Sequence, residues 1–311
     1  MGAVINLIVT CTKDKRMTVT DDCQLRNVRS IGLSPRVRDW CSRLSNEKSR
    51  VPVRDLYSGD HWAVAREIRS SRFTVNTYVC SAGYGLIGID DFIVPYAATF
   101  SRKHPDSIWS QDENAITSCE WWKKICGWKG LPGFGSRSIT ELAAEQPKTP
   151  MMVVASENYL KAIKEDLEKA RDSLASTDLM MIVSTGTRQL GELSENLIPC
   201  DARLQSAVGG IRRSLNVRVA RKLISDARSL PTLESLSSKM KRLLASQPDL
   251  PVYDRQSATD EEVRSFILSY IRVNKNAAHT HLLRTFRSDG FACEQKRFSK
   301  LFQEVKERVN G

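Results

Sequence analysis

Four short apolar runs interrupt an otherwise mixed polar chain: Val4–Val9, Phe73–Cys80, Met151–Ala155 and Leu179–Val183. Each is four to eight residues long and bounded by polar or turn residues, and each reads as a strand buried on both faces of a mostly parallel sheet. Between the last two, Ser156 precedes Tyr159, Ile163 and Leu167 at helical spacing, which makes a strand–helix–strand unit. Ser34-Pro35 reads as a helix cap followed by proline in the first turn. The expected fold class is α/β, a layered, mostly parallel sheet flanked by helices, over residues 1–227.

The pattern changes after that. Residues 228–258 hold Pro231, Pro248 and Pro251 among serines and aspartates and read as a linker or bridging segment, with room for one helix over 232–246. Residues 259–311 read as a small helical module. Thr259-Asp260-Glu261-Glu262 is a capping box, and Val263, Phe266, Ile267, Tyr270 and Ile271 form one face. A second helix carries Leu282, Leu283 and Phe286 and stops at Gly290. A third carries Phe298, Leu301, Phe302, Val305 and Val309, with Lys296, Arg297 and Lys300 near its start. This is the outline of a helix-turn-helix or winged-helix-like module that binds DNA; the competing reading is a helical cap whose Lys and Arg are merely solvated.

Charge sharpens the choice of partner. The 311 residues carry 47 Lys and Arg against 36 Asp and Glu, a net +11. Such an excess points to a polyanion, most commonly nucleic acid, against the plainer alternative of a basic soluble enzyme. No window is long and apolar enough for a membrane span, the first residues lack a basic leader, and the eight cysteines contain no C-x-x-C pair. A cytoplasmic protein with reduced thiols is expected. Four scattered histidines make no metal-ligand spacing, and neither a Walker A loop nor a G-x-G-x-x-G follows a strand, so no metal and no cofactor are expected.

Candidate chemistry gathers at strand ends, where α/β sheets bind ligands. The first cluster is Thr10-Cys11-Thr12-Lys13-Asp14-Lys15-Arg16. Cys11, a thiol in an electropositive setting, is the candidate nucleophile, with the alternative of a small buried hydrophobe. Thr10, Thr12, Lys13 and Lys15 are candidates for holding the substrate, and Arg16 for contacting DNA. The second cluster is Cys80-Ser81-Ala82-Gly83-Tyr84-Gly85, followed by Asp90, Asp91 and Tyr96. Here Cys80 is the rival nucleophile, Asp90 and Asp91 would move protons, Ser81, Gly83 and Tyr96 would line the pocket, and Tyr84 would stack on a base. Between the clusters, Ser58 and Asp60 are candidates for holding the base edge, and His61 for acid–base work. Arg212 and Arg213, ahead of a basic helix, are further candidates for phosphate contact.

The order Cys11-Thr12-Lys13-x-Lys15, Asp55-Leu56-Tyr57, Ser81-Ala82-Gly83-Tyr84-Gly85-Leu86-Ile87, Pro95-Tyr96 resembles a bacterial family with the signature C-S-K-x-K, A-x-x-L-Y, S-A-K-Y-G-L-I and a P-Y-D-like end. These are the YaaA-like peroxide-stress proteins, related to the base-recognising core of archaeosine synthase. The resemblance covers residues 1–105 firmly and the rest of the α/β region loosely. It implies a uracil-DNA-glycosylase-like core. Gly83 stands where the family has Lys, and Ala97 where it often has Asp. Among long basic members with a helical C-terminal module, the chain resembles the component of bacterial 7-deazaguanine DNA-modification clusters that acts after base insertion. The role implied is hydration of the nitrile of 7-cyano-7-deazaguanine in DNA to the 7-amido base. A thiolate suits that product, because a thioimidate hydrolyses to an amide. The alternatives are a non-catalytic DNA-binding stress or defence protein and a glycosylase that excises a modified base with an aspartate activating water.

Overall fold

The structure, a computed structural model, describes residues 2–109, 116–186, 190–250, 253–274 and 277–310. The chain divides into two compact units, Met1–Pro248 and Asp249–Gly311. In the first, β1 (Val4–Thr10) leads to α1 (Leu33–Asn46), β2 (Val51–Pro52), α2 (Val53–Leu56) and α3 (Asp60–Ala65). Then come β3 (Thr74–Ser81), β4 (Gly85–Gly88), β5 (Phe92–Ile93), α4 (Ser118–Cys126) and α5 (Ile139–Glu145). The unit continues through β6 (Met151–Val154), α6 (Glu157–Ser173), β7 (Met180–Val183), β8 (Leu197–Ile198), α7 (Gln205–Val208), α8 (Leu215–Ser225) and α9 (Leu233–Ala245).

Six strands form one sheet in the order β4-β3-β1-β6-β7-β8. Every neighbouring pair is parallel except β4, which runs back along β3 with Tyr78 opposite Gly88 and Ser81 opposite Gly85. The four apolar runs are β1, β3, β6 and β7, and all of β6 and β7 is buried, as continuous apolar strands inside a helix-flanked sheet must be. The fold is therefore α/β with a mostly parallel sheet flanked by helices.

The strand order decides where a ligand has room. From β1 the chain crosses one way to β3 and later the other way to β6, so the connections diverge at the carboxyl ends of β1 and β6. That divergence leaves a crevice, the usual ligand position in open α/β sheets. Cys11 is the first residue past β1, and α6 begins three residues past β6.

Two local readings shift. The α1 helix is entered from Gly32, at φ +82°, so Ser34 lies in its first turn instead of capping it. The stretch 228–258 contains α9, whose Leu236, Met240 and Leu244 belong to the same core as the sheet, and the boundary between units falls after Pro248.

The second unit packs α10 (Asp260–Val273), α11 (His279–Ser288) and α12 (Gln295–Asn310) around Val263, Ile267, Ile271, Leu282, Phe286, Phe298 and Phe302. A two-residue parallel ladder joins β9 (Gln256–Ser257) to β10 (Phe291–Ala292). The capping box forms as read: Glu262 N–H donates to Thr259 Oγ1 at 3.2 Å and Thr259 N–H to Glu262 Oε2 at 2.7 Å. Charge is unevenly divided. Residues 1–248 hold 36 Lys and Arg against 27 Asp and Glu, and residues 249–311 hold 11 against 9. Among the described residues, no helix is long and apolar enough to cross a membrane.

Candidate active site: a thiol ringed by tyrosine hydroxyls

Cys11 is anchored where β1 ends, its N–H donating to Cys80 O at 3.0 Å. Three elements bring hydroxyls toward its sulfur. Tyr159, in the first turn of α6, places Oη 2.9 Å from Cys11 Sγ. Tyr96, three residues past β5, donates to the same sulfur at 3.6 Å. Tyr57, directly after α2, lies 2.9 Å from Tyr96 through the two hydroxyl oxygens, and Ser81 Oγ lies 2.6 Å from Tyr96 Oη. Cys11 is 8% exposed while Tyr57, Ser81 and Tyr96 have no exposed surface, so the thiol is the group of this cluster nearest to solvent apart from half-buried Tyr159.

Counting donors and acceptors fixes which way these bonds point. Ser81 Oγ accepts from the backbone N–H groups of Gly83 and Tyr84, both at 3.1 Å. Its two lone pairs are then used, and its own hydrogen goes to Tyr96 Oη. Tyr96, with Ser81 donating to it, sends its hydrogen to the Cys11 sulfur. Burial first, and the neighbouring Cys11 second, push the Tyr57, Tyr96 and Tyr159 phenols well above their ordinary value, so all three remain protonated donors at neutral pH. A chain of O–H bonds thus runs from two backbone amides to one sulfur, the arrangement that supports negative charge on that atom.

Lys15 adds the positive charge. Its Nζ lies 4.9 Å from the Tyr96 ring centroid and 5.6 Å from that of Tyr57, and it donates to Thr12 O and Lys13 O at 3.0 and 3.1 Å. Burial pulls the ammonium below its ordinary value, opposed by Cys11 and more weakly by Asp106 and Asp14. Thr12 does not face outward for a ligand: its Oγ1 donates to Ser58 O at 2.9 Å, tying the Cys11 turn to the segment carrying Tyr57. The Lys15–Tyr57 bridge pins the same two segments. Thr10 is a buried strand residue opposite Cys80, and Lys13 and Arg16 are exposed.

Several expected site residues stand elsewhere. Asp90 and Asp91 come after β4, the one strand that runs backward, so they lie at the opposite end of the sheet from Cys11, roughly five residues or about 15 Å down β3. There Asp90 pairs with Arg54, Asp91 accepts from Gly88 N–H at 2.7 Å, and both border a cavity of about 820 Å³. They cannot move protons at the thiol. Cys80 is fully buried, and burial pushes its thiol well up, which suits a packed strand residue and not a nucleophile. Tyr84 is also fully buried, with its hydroxyl donating to Val94 O at 3.3 Å and accepting from Val94 N–H at 3.1 Å, so it has no free face for a base.

Gly83 makes room for protein rather than ligand: a Cβ there would stand 2.4 Å from the Tyr96 ring. Asp60 is held by Arg218 at 2.6 Å and by Ser214, and Ser58 contributes its backbone to the turn. His61 is half-buried; burial lowers its imidazole to about 4, so it is neutral near pH 7, and its Nε2 has no hydrogen-bond partner among the described residues. Trp121 and Trp122 are core residues, Trp121 Nε1 donating to Ala82 O at 2.8 Å and Trp122 Nε1 to Asp166 Oδ2 at 2.8 Å.

Of the cations expected to meet DNA, Arg212 and Arg213 are exposed ahead of α8, and Lys296 is exposed at the start of α12. Lys300 is exposed and 4.0 Å from Glu304. Arg297 is not free: it donates to Asp260 Oδ1 at 2.7 Å and to Ala258 O at 2.8 Å, bracing α12 against the start of α10.

Tyr159 is the site residue that the sequence does not single out, and Tyr57 stands there only as part of a motif, with no role given to it. Tyr159 reads as one more apolar position on the α6 face. Its signal is its place in the first turn of the helix that follows the strand beside β1. Compared with known proteins, the chain matches no family model, no curated protein and no solved structure.

Proposed function

We propose that the protein is a DNA-modification enzyme that hydrates the nitrile of 7-cyano-7-deazaguanine in DNA to the amide through Cys11, a DpdC-like role. The observation that carries this reading is the convergence of the Tyr96 and Tyr159 hydroxyls on a single thiol at the divergence point of the sheet. An attacking sulfur needs donors that hold its charge, and a nitrile needs a proton delivered to nitrogen as the sulfur adds. Tyr159, at 2.9 Å and half-buried, is the donor an incoming base would meet.

The chemistry balances with these groups. Cys11 Sγ attacks the nitrile carbon, an S–C bond forms, one C–N π bond breaks, and Tyr159 relays the thiol proton to nitrogen, giving a thioimidate. Water then adds across the remaining C=N, oxygen to carbon and one proton to nitrogen. The C–S bond breaks, the hydroxyl proton passes to sulfur, and the amide leaves with the thiol regenerated. Lys15, with Nζ 4.9 Å from the Tyr96 ring centroid, stands beside the same cluster. A base in duplex DNA must first leave the stack, at a cost of a few kcal/mol. Asp90 and Asp91, at the far end of the sheet, would not supply the water-activating aspartate of a glycosylase at this site.

Trapping tests the reading. The protein is mixed with an oligonucleotide carrying the nitrile base and quenched into denaturant during turnover. A covalent protein–DNA species that is present with Cys11 and absent in Cys11→Ala supports the thioimidate. An adduct that survives in Cys11→Ala, or amide formation by that variant, overturns it.

A further inference from the structure

The second unit has a concave surface with no part in the reaction above. A cavity of about 630 Å³ is lined by Tyr253, Arg255, Thr280, Arg284, Arg287 and Gln295, among others. It lies between α11, the segment entering β9 and the first residue of α12. Three arginines in one cavity are notable because the unit as a whole is nearly balanced, 11 basic residues against 9 acidic.

Their partners set these arginines apart from Arg264, Arg297 and Lys300, which pair with carboxylates. Asp260 is taken by Arg297 and Arg264, Glu304 by Arg264, and Glu262 by the α10 cap. Arg255, Arg284 and Arg287 pair with no carboxylate among the described residues. Arg255 Nε donates to Arg287 O at 3.0 Å, and Arg287 Nη2 to Cys293 O at 2.8 Å. Each is thereby oriented by a neutral carbonyl and keeps its charge and its remaining N–H groups for another acceptor. Arg284 is exposed. The carboxylates nearest in sequence, Asp254, Asp289 and Glu294, do not line the cavity.

An aromatic ring completes the surface. The Arg255 guanidinium lies 4.0 Å from the Tyr253 ring centroid, yet Tyr253 remains 63% exposed. A solvent-facing tyrosine backed by an arginine is a stacking platform, and base stacking with phosphate-seeking arginines alongside is how single strands are held without sequence preference. The volume is that of a pocket for a small ligand, room for a nucleotide unit.

We propose that this groove binds a single strand of DNA, seating phosphates between Arg255, Arg284 and Arg287 and stacking a base on Tyr253. The choice of DNA rests on the function proposed above; the choice of a single strand rests on the groove. A base can reach the Tyr253 face only when it is unpaired, and Arg297, which would help α12 grip a duplex, is committed to Asp260.

Fluorescence anisotropy with the full chain tests this, using labelled unmodified oligothymidine and a labelled hairpin duplex of matched length. Tyr253→Ala and Arg284→Ala change exposed side chains, and each is expected to weaken oligothymidine binding about tenfold, the scale of one lost base stack or phosphate contact. Lys306→Ala, a change of an exposed cation on α12 outside the cavity, is expected to change it less than about twofold. Oligothymidine affinity unchanged in both groove variants would overturn the proposal, as would tighter binding of the duplex with an equal loss in those variants. The probe carries no nitrile, so failure of the hydration chemistry leaves this result standing, and failure of the groove leaves the chemistry standing.

Discussion

The Tyr159 hydroxyl rests 2.9 Å from the Cys11 sulfur across 148 positions of sequence. The contact exists because β1 and β6 are neighbours in the sheet, with Asn6 opposite Met151 and Val9 opposite Val154, and each opens into the same crevice. One strand delivers the thiol and the other delivers the helix whose first turn carries the phenol. If that phenol supplies the proton, Tyr159→Phe lowers turnover on nitrile-bearing DNA by about 10²-fold or more, within the usual range for a positioned acid. The fold persists because the ring still packs edge-on against Phe100 at 5.1 Å. Steady-state rates beside a thermal melt check this; full activity in a normally folded variant would remove Tyr159 from the reaction.

Tyr96 should behave differently. Its hydroxyl joins fully buried Ser81 and Tyr57 to the Cys11 sulfur. Tyr96→Phe leaves the Ser81 and Tyr57 hydroxyls without their shared partner, at a cost of about 1–3 kcal/mol. The expected outcome is a clear drop in chemical denaturation midpoint together with lost activity. Tyr159→Phe is expected to lose activity with little change in midpoint.

The two cysteines separate in the same way. Cys11→Ala is expected to abolish turnover and preserve the fold, since the residue is at the edge of the core. Cys80→Ala keeps the chemistry and loses stability, by about 1 kcal/mol for a buried sulfur removed from the middle of the sheet. Alkylation followed by peptide mass mapping of the native protein gives an independent check: Cys11 reacts before Cys80.

Gly83 packs directly under Tyr96. A Cβ at this position would meet the Tyr96 ring at 2.4 Å. Gly83→Ala must displace Tyr96, and with it the O–H bond to Cys11. A loss of about 1–3 kcal/mol is expected, together with reduced turnover. At roughly 2–4 °C per kcal/mol for a unit of this size, the shift is readable in a thermal melt.

His61 gives the stability a pH dependence. Its imidazole falls to about 4 in the folded chain, against an ordinary value near 6.5, because burial disfavours the charged form. Between these values the unfolded chain binds the proton and the folded chain does not, so stability is lost as pH falls from about 6.5 toward 4. The loss is on the order of 3 kcal/mol. His61→Gln is expected to flatten that part of the curve in denaturation measured across the range. An unchanged slope would place the dependence on other groups.

The sequence shows the sheet more clearly than the site. The strands β1, β3, β6 and β7 are legible because continuous apolar runs have few other uses, and α6 because Tyr159, Ile163 and Leu167 repeat at helical spacing. The strand β4 is hidden, since Gly85–Gly88 reads as part of a glycine turn. That one omission misplaces Asp90 and Asp91: a strand that doubles back carries the next residues to the opposite end of the sheet. Cys11 and Lys15 are readable from their position at a strand end. Tyr159 is not, because a tyrosine on a helix face looks like packing until strand order shows which crevice the helix enters. Tyr84 fails for the reverse reason: glycines on either side suggest space for a ligand, but Tyr96 and Cys126 already occupy it.

The most direct test is to incubate the purified protein with DNA carrying 7-cyano-7-deazaguanine, digest to nucleosides and read their masses. The modified nucleoside is expected to gain the mass of one water, and Cys11→Ala to leave it unchanged. An intact nitrile nucleoside on DNA that the protein demonstrably binds would rule out nitrile hydration, and so would loss of the base to leave an abasic site.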